Sequence, residues 1–591
     1  MVFPILGNLP FSFAKNILPP LGKKYSSLAT CNFNTFSSKT QCKGSYIPSS
    51  STRRSANFQP SIWTYDYIQS LSSEYKEVMY RKQCSILKEK VRMMLNKTEN
   101  ELTQLELIDV LQRLGVSYHF NNEIRDILDN IYNKQTFKLK KNLHATAREF
   151  RLLRQHGYDL STDVIVCFED EICNFKNGHF VDVEGMLSLY EASFHLFEDE
   201  PILDEARDVT SKFLKEFLDK NGDKNISLQI SHALELPLHW GIPRWEARWF
   251  IDIYERQQNK NHVLLEFAQL DFNILQSLYQ EDLKYTSRWW KRTTLGDNLS
   301  FARDRLVENF VWTVGTNFKP EFDYFRKVLT KVNSLITIID DVYDVYGTLE
   351  ELELFTKAID RWDLNAMDSL PNYMKMCFHA LYDLVNELAF ETLKKCGYHI
   401  TPYLKKAWAD LCKSYLIEAK WYHSGYTPSL GEYLENAWIS ISAPAILTHA
   451  YFVIPHSFKI EDLVCLEENS DIIRLSAIIL RLANDLGTYK RENETGDIPK
   501  SIQCYMNETG ASEVEACEYV KSMMFIEWKK MNKEAHGSSF SQCFIDTAVN
   551  LARMALFMYH HGDGHTIQAP EIKNRITSLV FQPIPNIFTK H

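Results

Sequence analysis

At 591 residues the chain is too long for one ordinary core and suits two large domains after a leader. Its 45% hydrophobic and 24% charged residues are those of a globular protein, and a formal charge of −10 argues against a nucleic-acid-binding face. No stretch reaches the roughly 20 uninterrupted apolar residues of a membrane helix, and the 12 cysteines, with no CxxC pair, read as reduced thiols.

Residues 1–52 contain no Asp or Glu; the first acidic residue is Asp66. Lys15, Lys23, Lys24, Lys39 and Lys43 and many Ser and Thr fill the segment, the composition of an organelle transit peptide. Composition alone does not separate mitochondrion from plastid. From Trp63 onward the pattern is helical. Leu264, Ala268, Phe272, Leu275 and Tyr279 recur at steps of three and four, as do Leu404, Trp408, Leu411, Tyr415 and Ala419. Period-two runs of β-branched residues are absent, and Gly and Pro fall between the periodic segments. The expected fold is all-α with two helical domains, divided near residues 265–285: 53–270 and 271–591.

Arg303 and Arg305 come next, cations suited to phosphate. They precede Ile338-Ile339-Asp340-Asp341-Val342-Tyr343-Asp344. Positions i, i+1 and i+4 of a helix lie within about 100°, so Asp340, Asp341 and Asp344 cluster at the end of an apolar run. Such a charge needs a counter-ion, and hard oxygen ligands select Mg²⁺ shared with substrate phosphates. Farther on, Asn484, Thr488 and Glu492 are spaced by four and span roughly 80° of a helix, a strip of amide, hydroxyl and carboxylate oxygens. Arg481 lies one turn before it and Lys500 in the loop after it. Two oxygen-rich strips with these cations describe a diphosphate clamp. His560, His561 and His565 read as loop histidines.

Together these residues resemble the class I terpene synthases of plants. The matching motifs are DDxxD at Asp340–Asp344, the second metal motif at Asn484–Glu492, and the RxR pair Arg303/Arg305. Ser287-Arg-Trp-Trp-Lys291 matches upstream, and Leu143-His-Ala-Thr-Ala and Leu153-Arg-Gln-His-Gly157 match in the first half. Arg53-Arg54, eight residues and Trp63 match the RRx8W motif of angiosperm monoterpene synthases.

The resemblance implies a plastid destination (chloroplast stroma). It also implies an N-terminal domain that scaffolds and caps through Arg53, Arg54 and Trp63, and a C-terminal catalytic domain with a deep apolar cavity. No DxDD is present, so protonation-initiated chemistry is not expected. The implied cofactor is Mg²⁺, three ions in the closed complex, or Mn²⁺, held by Asp340, Asp341, Asp344, Asn484, Thr488 and Glu492. Arg303, Arg305, Arg481 and Lys500 would bind the diphosphate. Trp312 matches a cation-facing aromatic, and Tyr559 and Asp563 match a C-terminal lid. Asn333 and Leu480 stand where isoprene synthases carry phenylalanines, leaving room for a C10 chain. The expectation is a lyase acting on geranyl diphosphate, leaning towards a cyclic product of limonene, terpineol or cineole type. Acyclic myrcene, ocimene or linalool, then a sesquiterpene synthase, then a non-catalytic prenyl diphosphate-binding protein are the alternatives. A small-molecule substrate, no nucleic acid, no membrane span and a monomer or weak homodimer complete it.

Overall fold

The computed structural model describes residues 53–134, 142–166, 168, 182–220, 224–455, 458–495, 498–567 and 569–585. The leader assigned to residues 1–52 lies outside them, as does the side chain of Glu492. Among the described residues there are helices and no strand, as the three–four periodicity predicts. Both apolar rows singled out in the sequence are buried along their whole length. No helix among them is long and apolar enough to cross a membrane.

Local capping explains where the helices begin. Asn100, Asn142 and Asp182 each accept a hydrogen bond from a backbone amide of the first turn, opening Glu101–Arg113, Leu143–Gln155 and Val183–Ser193. The Leu153–Gly157 motif closes one of them. Gly157, at φ +83°, takes the left-handed position after the helix, and Arg154 turns inward to donate to the carbonyl of Leu160 and pair with Glu200. Nearby, Arg113 lies between Glu191 and Glu246.

A 32-residue helix, His262–Thr293, runs unbroken through the stretch where a domain boundary was expected. Its buried amides grip the end of the chain: Asn273 donates to the carbonyl of Ile584, Gln276 to Gln582 and Gln280 to Val580. The two halves also lock through polar side chains. Asn532 donates to the carbonyls of Phe194 and Leu196, and Arg553 to that of His239.

Six helices of the second half close a ring: Leu306–Thr316, Asp323–Asp341, Thr401–Ser424, Ala443–Val453, Asp471–Thr495 and Gln542–Tyr559. Their apolar faces make the core; the C-terminal end of one at Asp340 and the polar strip along the middle of another at Asn484 line one cavity. That placement creates the site.

Candidate active site

A cavity of ≈ 560 Å³ opens inside the ring. Its acidic wall is the end of helix Asp323–Asp341 and the π-helical turn Val342–Tyr346 that follows. The α-helical spacing assumed for the DDxxD run therefore holds only to Asp341; Asp344 rides on the wider turn, an irregularity that recurs at functional sites. Asp340, Asp341 and Asp344 all line the cavity.

Arg303 organises this wall. It pairs with Asp340 at 2.5 Å and with Asp341 at 2.9 Å, and its backbone amide donates to Asp341 at 2.6 Å. Burial and the neighbouring charge of Asp340 nevertheless push the Asp341 carboxyl up to about 6, against the pull of Arg303. Three carboxylates therefore share this wall with the guanidinium of Arg303.

Across the cavity, Asn484 and Thr488 project from helix Asp471–Thr495, with Arg481 and Lys500 beside them. Arg481 contacts the side chain of Asn484 and pairs with Asp485 at 2.7 Å. Asp485 is fully buried and also accepts from the Tyr433 hydroxyl and the backbone amide of Ser501. It orients Arg481 and anchors the residue after Lys500, a role the sequence did not single out.

The other expected residues fall as follows. Trp312, Asn333, Leu480, Tyr559 and Asp563 line the cavity, with Trp312 and Tyr559 rings 6.1 Å apart. Arg54 lines it too, stacked 4.0 Å over Tyr422, within a strap whose residues 54–58 form part of the wall. Arg53 clamps the strap from outside, bidentate to Glu351 at 2.8 Å and donating to the carbonyl of Tyr346. Trp63 packs against Phe581, 4.8 Å between rings, away from the cavity.

Arg305 requires a correction. It is 1% exposed, does not line the cavity, and donates to the carbonyls of Asp304, Gln59 and Thr566. A guanidinium committed to three carbonyls behind the wall is not a diphosphate contact.

Among the lining residues that the sequence did not assign to the site are an arginine, a glutamate and a histidine. Arg491, three positions after Thr488 on the same helix face, pairs with Asp563 at 2.6 Å, so helical spacing could have found it. Glu418 is buried at the cavity edge and accepts from Asn436 at 3.1 Å and from Ser440. His565, taken for a loop histidine, is in the wall, 3.4 Å from Thr337, and burial and Arg303 lower it to about 3. Only folding brings it there. His560 and His561 are at the surface with Glu235.

The donor set fits Mg²⁺: hard oxygens from Asp340, Asp341 and Asp344 on one wall and from Asn484 and Thr488 on the other line the same cavity. A carboxyl near 6 also sets a pH dependence. As pH falls through about 6, Asp341 takes a proton, and a protonated carboxyl is a poor partner for a divalent cation. The half-saturating Mg²⁺ concentration in a turnover assay is expected to rise over that interval; an unchanged value would remove Asp341 from the ligand set.

Comparison with known proteins matches both halves. Residues 62–234 match the model of the terpene synthase N-terminal domain, and residues 291–530 that of the terpene synthase family metal binding domain. A chloroplastic myrcene synthase of Quercus ilex is 59% identical over 538 residues, 90% of each chain. Among solved structures, a limonene synthase with 2-fluorolinalyl diphosphate superposes with TM-score 0.87 at 44% identity, covering 90% of this chain and all of that one. Isoprene synthase from grey poplar leaves, in complex with three Mg²⁺ ions and dimethylallyl-S-thiolodiphosphate, gives 0.81 at 45% identity, covering 88% of this chain and 99% of that one.

Proposed function

The chain belongs to the terpene synthase family, and from that premise we propose that it is a plastid monoterpene synthase that ionises geranyl diphosphate. The observation that carries the reading is the cavity itself, where two oxygen-rich helix segments converge with the cations Arg303, Arg481 and Lys500, and with Arg54 and Arg491 in the same wall. The high identity to a chloroplastic myrcene synthase supports both the C10 substrate and the plastid. Asn333 and Leu480 in the wall, in place of bulkier rings, support the same length. The division into residues 53–270 and 271–591 is part of the proposal. The stretch between the two family-model matches, 235–290, supports it, with the cut inside helix His262–Thr293.

Asp340, Asp341, Asp344, Asn484 and Thr488, with Glu492, would hold Mg²⁺. When bound, Mg²⁺ supplies neutralising charge to the diphosphate as its bond to carbon breaks. Arg303, Arg481 and Lys500 bind the diphosphate oxygens and share that charge. Heterolysis leaves an allylic cation, which the strap 54–58 and the segment Tyr559–Thr566 screen from water. The Trp312 face stabilises the cation by about 2 kcal/mol in a dry site. Tyr559, whose hydroxyl burial and Asp563 hold well above the usual range, stays neutral throughout.

The strap held by Arg53 and Arg54 favours a closed chamber and a cyclic product. The identity to a myrcene synthase favours an acyclic one. The purified chain is incubated with Mg²⁺ and, separately, geranyl, farnesyl and dimethylallyl diphosphates, with products read by chiral gas chromatography–mass spectrometry. Monoterpenes from the geranyl substrate are expected and identify the product. C15 or C5 products alone would overturn the substrate assignment, and no product from folded protein would leave a binding protein.

A further inference from the structure

Arg305 is a buried, permanently charged group that donates its hydrogen bonds to backbone carbonyls, with the Glu308 carboxylate as its leading favourable charge. Its Nη1 donates to the carbonyl of Asp304 at 2.9 Å. Its Nη2 donates to two carbonyls that belong to distant parts of the chain, Gln59 at 3.0 Å and Thr566 at 2.9 Å. Gln59 directly follows the strap residues in the cavity wall, and Thr566 lies in the wall on the C-terminal segment. One atom therefore ties together the two segments that cover the cavity.

The surroundings repeat the arrangement. Arg303, two residues earlier, donates to the Thr566 hydroxyl at 3.1 Å and lies 5.2 Å from the centre of the Phe58 ring. Thr566 is held a third time, its amide donating to Asp563 at 2.9 Å, and Asp563 in turn pairs with Arg491 on the Asn484 helix. Thus Phe58–Gln59, Arg303–Arg305 and Asp563–Thr566 form one polar junction at the cavity rim. Arg303 faces the cavity from it and Arg305 faces away. Burial disfavours the Arg305 charge; the Glu308 and Asp304 carboxylates offset part of that cost, and the hydrogen-bonding share of its solvation comes from its carbonyl partners. If either segment leaves, that solvation is lost, and the departure of one loosens the hold on the other.

We propose that Arg305 is a positioning residue, a latch that couples closure of the strap to closure of the C-terminal segment and so keeps water from the cation. The proposal rests on the terpene synthase reading of the site. With the latch open, water adds an oxygen lone pair to the cation and loses a proton. The share of product quenched by water, a terpene alcohol, then rises at the expense of the share quenched by loss of a proton from carbon.

Arg305→Met and Arg305→Lys are compared with the wild-type full chain by hydrogen-exchange mass spectrometry, steady-state kinetics and product analysis. Amide exchange in both segments, around 55–59 and 563–567, is expected to rise together, by about tenfold in Arg305→Met and less in Arg305→Lys. The alcohol share of the product is expected to rise while KM for geranyl diphosphate stays within about threefold. Exchange unchanged in both segments, or raised in only one, overturns the latch, as does a KM raised tenfold or more with exchange unchanged. If Arg305→Met does not fold, the Arg305→Lys exchange pattern decides alone. If the wild-type chain turns over no prenyl diphosphate, the proposed function fails, and the exchange comparison, which needs no turnover, still decides the latch.

Discussion

Replacing Asp340 with alanine is expected to lower kcat by about 10²–10³-fold or more, some 3–4 kcal/mol of transition-state stabilisation, while the protein stays folded. Of the two carboxylates paired with Arg303, Asp340 is the more open, its side chain 27% exposed against 1% for Asp341. It is therefore the one whose removal changes the charge facing the substrate with least damage behind it. Arg303 keeps its pairing and its backbone contact with Asp341, so the acidic wall retains its shape. The comparison is single-turnover product formation from geranyl diphosphate, with far-UV circular dichroism as the control for folding. Unchanged turnover in a folded Asp340→Ala protein would sink the ligand assignment.

The largest expected loss of stability lies at the other end of the same helix. Arg326 is fully buried and pairs with Asp282 on helix His262–Thr293, 2.9 Å away, while also donating to the carbonyl of Lys319 at 2.7 Å. Burial outweighs Arg326 and Lys327 and leaves the Asp282 carboxyl above its usual range. By linkage, a carboxyl raised on folding contributes its stability below the unfolded value and loses it as pH rises, so the charged pair is no net gain at neutral pH. Removing one partner is a different matter, because an arginine cannot discharge. Asp282→Ala is expected to cost about 3–5 kcal/mol, seen as a lower urea midpoint. Asp282→Leu combined with Arg326→Met is expected to recover most of it. If Asp282→Ala has no effect on the midpoint, Arg326 finds other solvation and the pair does not anchor the acidic helix.

These residues differ in how far the sequence alone reveals them. Asp340, Asp341 and Asp344 were legible because three carboxylates following an apolar run form a local pattern whose physics is self-contained. Asn484 and Thr488 were legible for the same reason, and Arg491 on the same face would have been. The Asp282–Arg326 pair was not, since nothing within either segment announces a partner 44 positions away. Asp485 was hidden in plain view: it sits inside the second motif, yet its contacts, Tyr433 and Ser501, come from elsewhere.

Sequence alone determined what depends on spacing along one helix or on composition: the all-α fold, the buried rows, the two oxygen-rich strips, and the family to which their combination points. Tertiary structure decided what depends on which segments meet. It separated Arg303 from Arg305, two residues apart and alike in chemistry, turning one to the carboxylates of the cavity and committing the other to the carbonyls of Gln59 and Thr566. It also brought His565 out of an apparent loop cluster into the wall, leaving His560 and His561 at the surface with Glu235. The reason is physical: a helix fixes the direction of a side chain relative to its neighbours in sequence, but what a charge finds there is set by the packing of the whole chain.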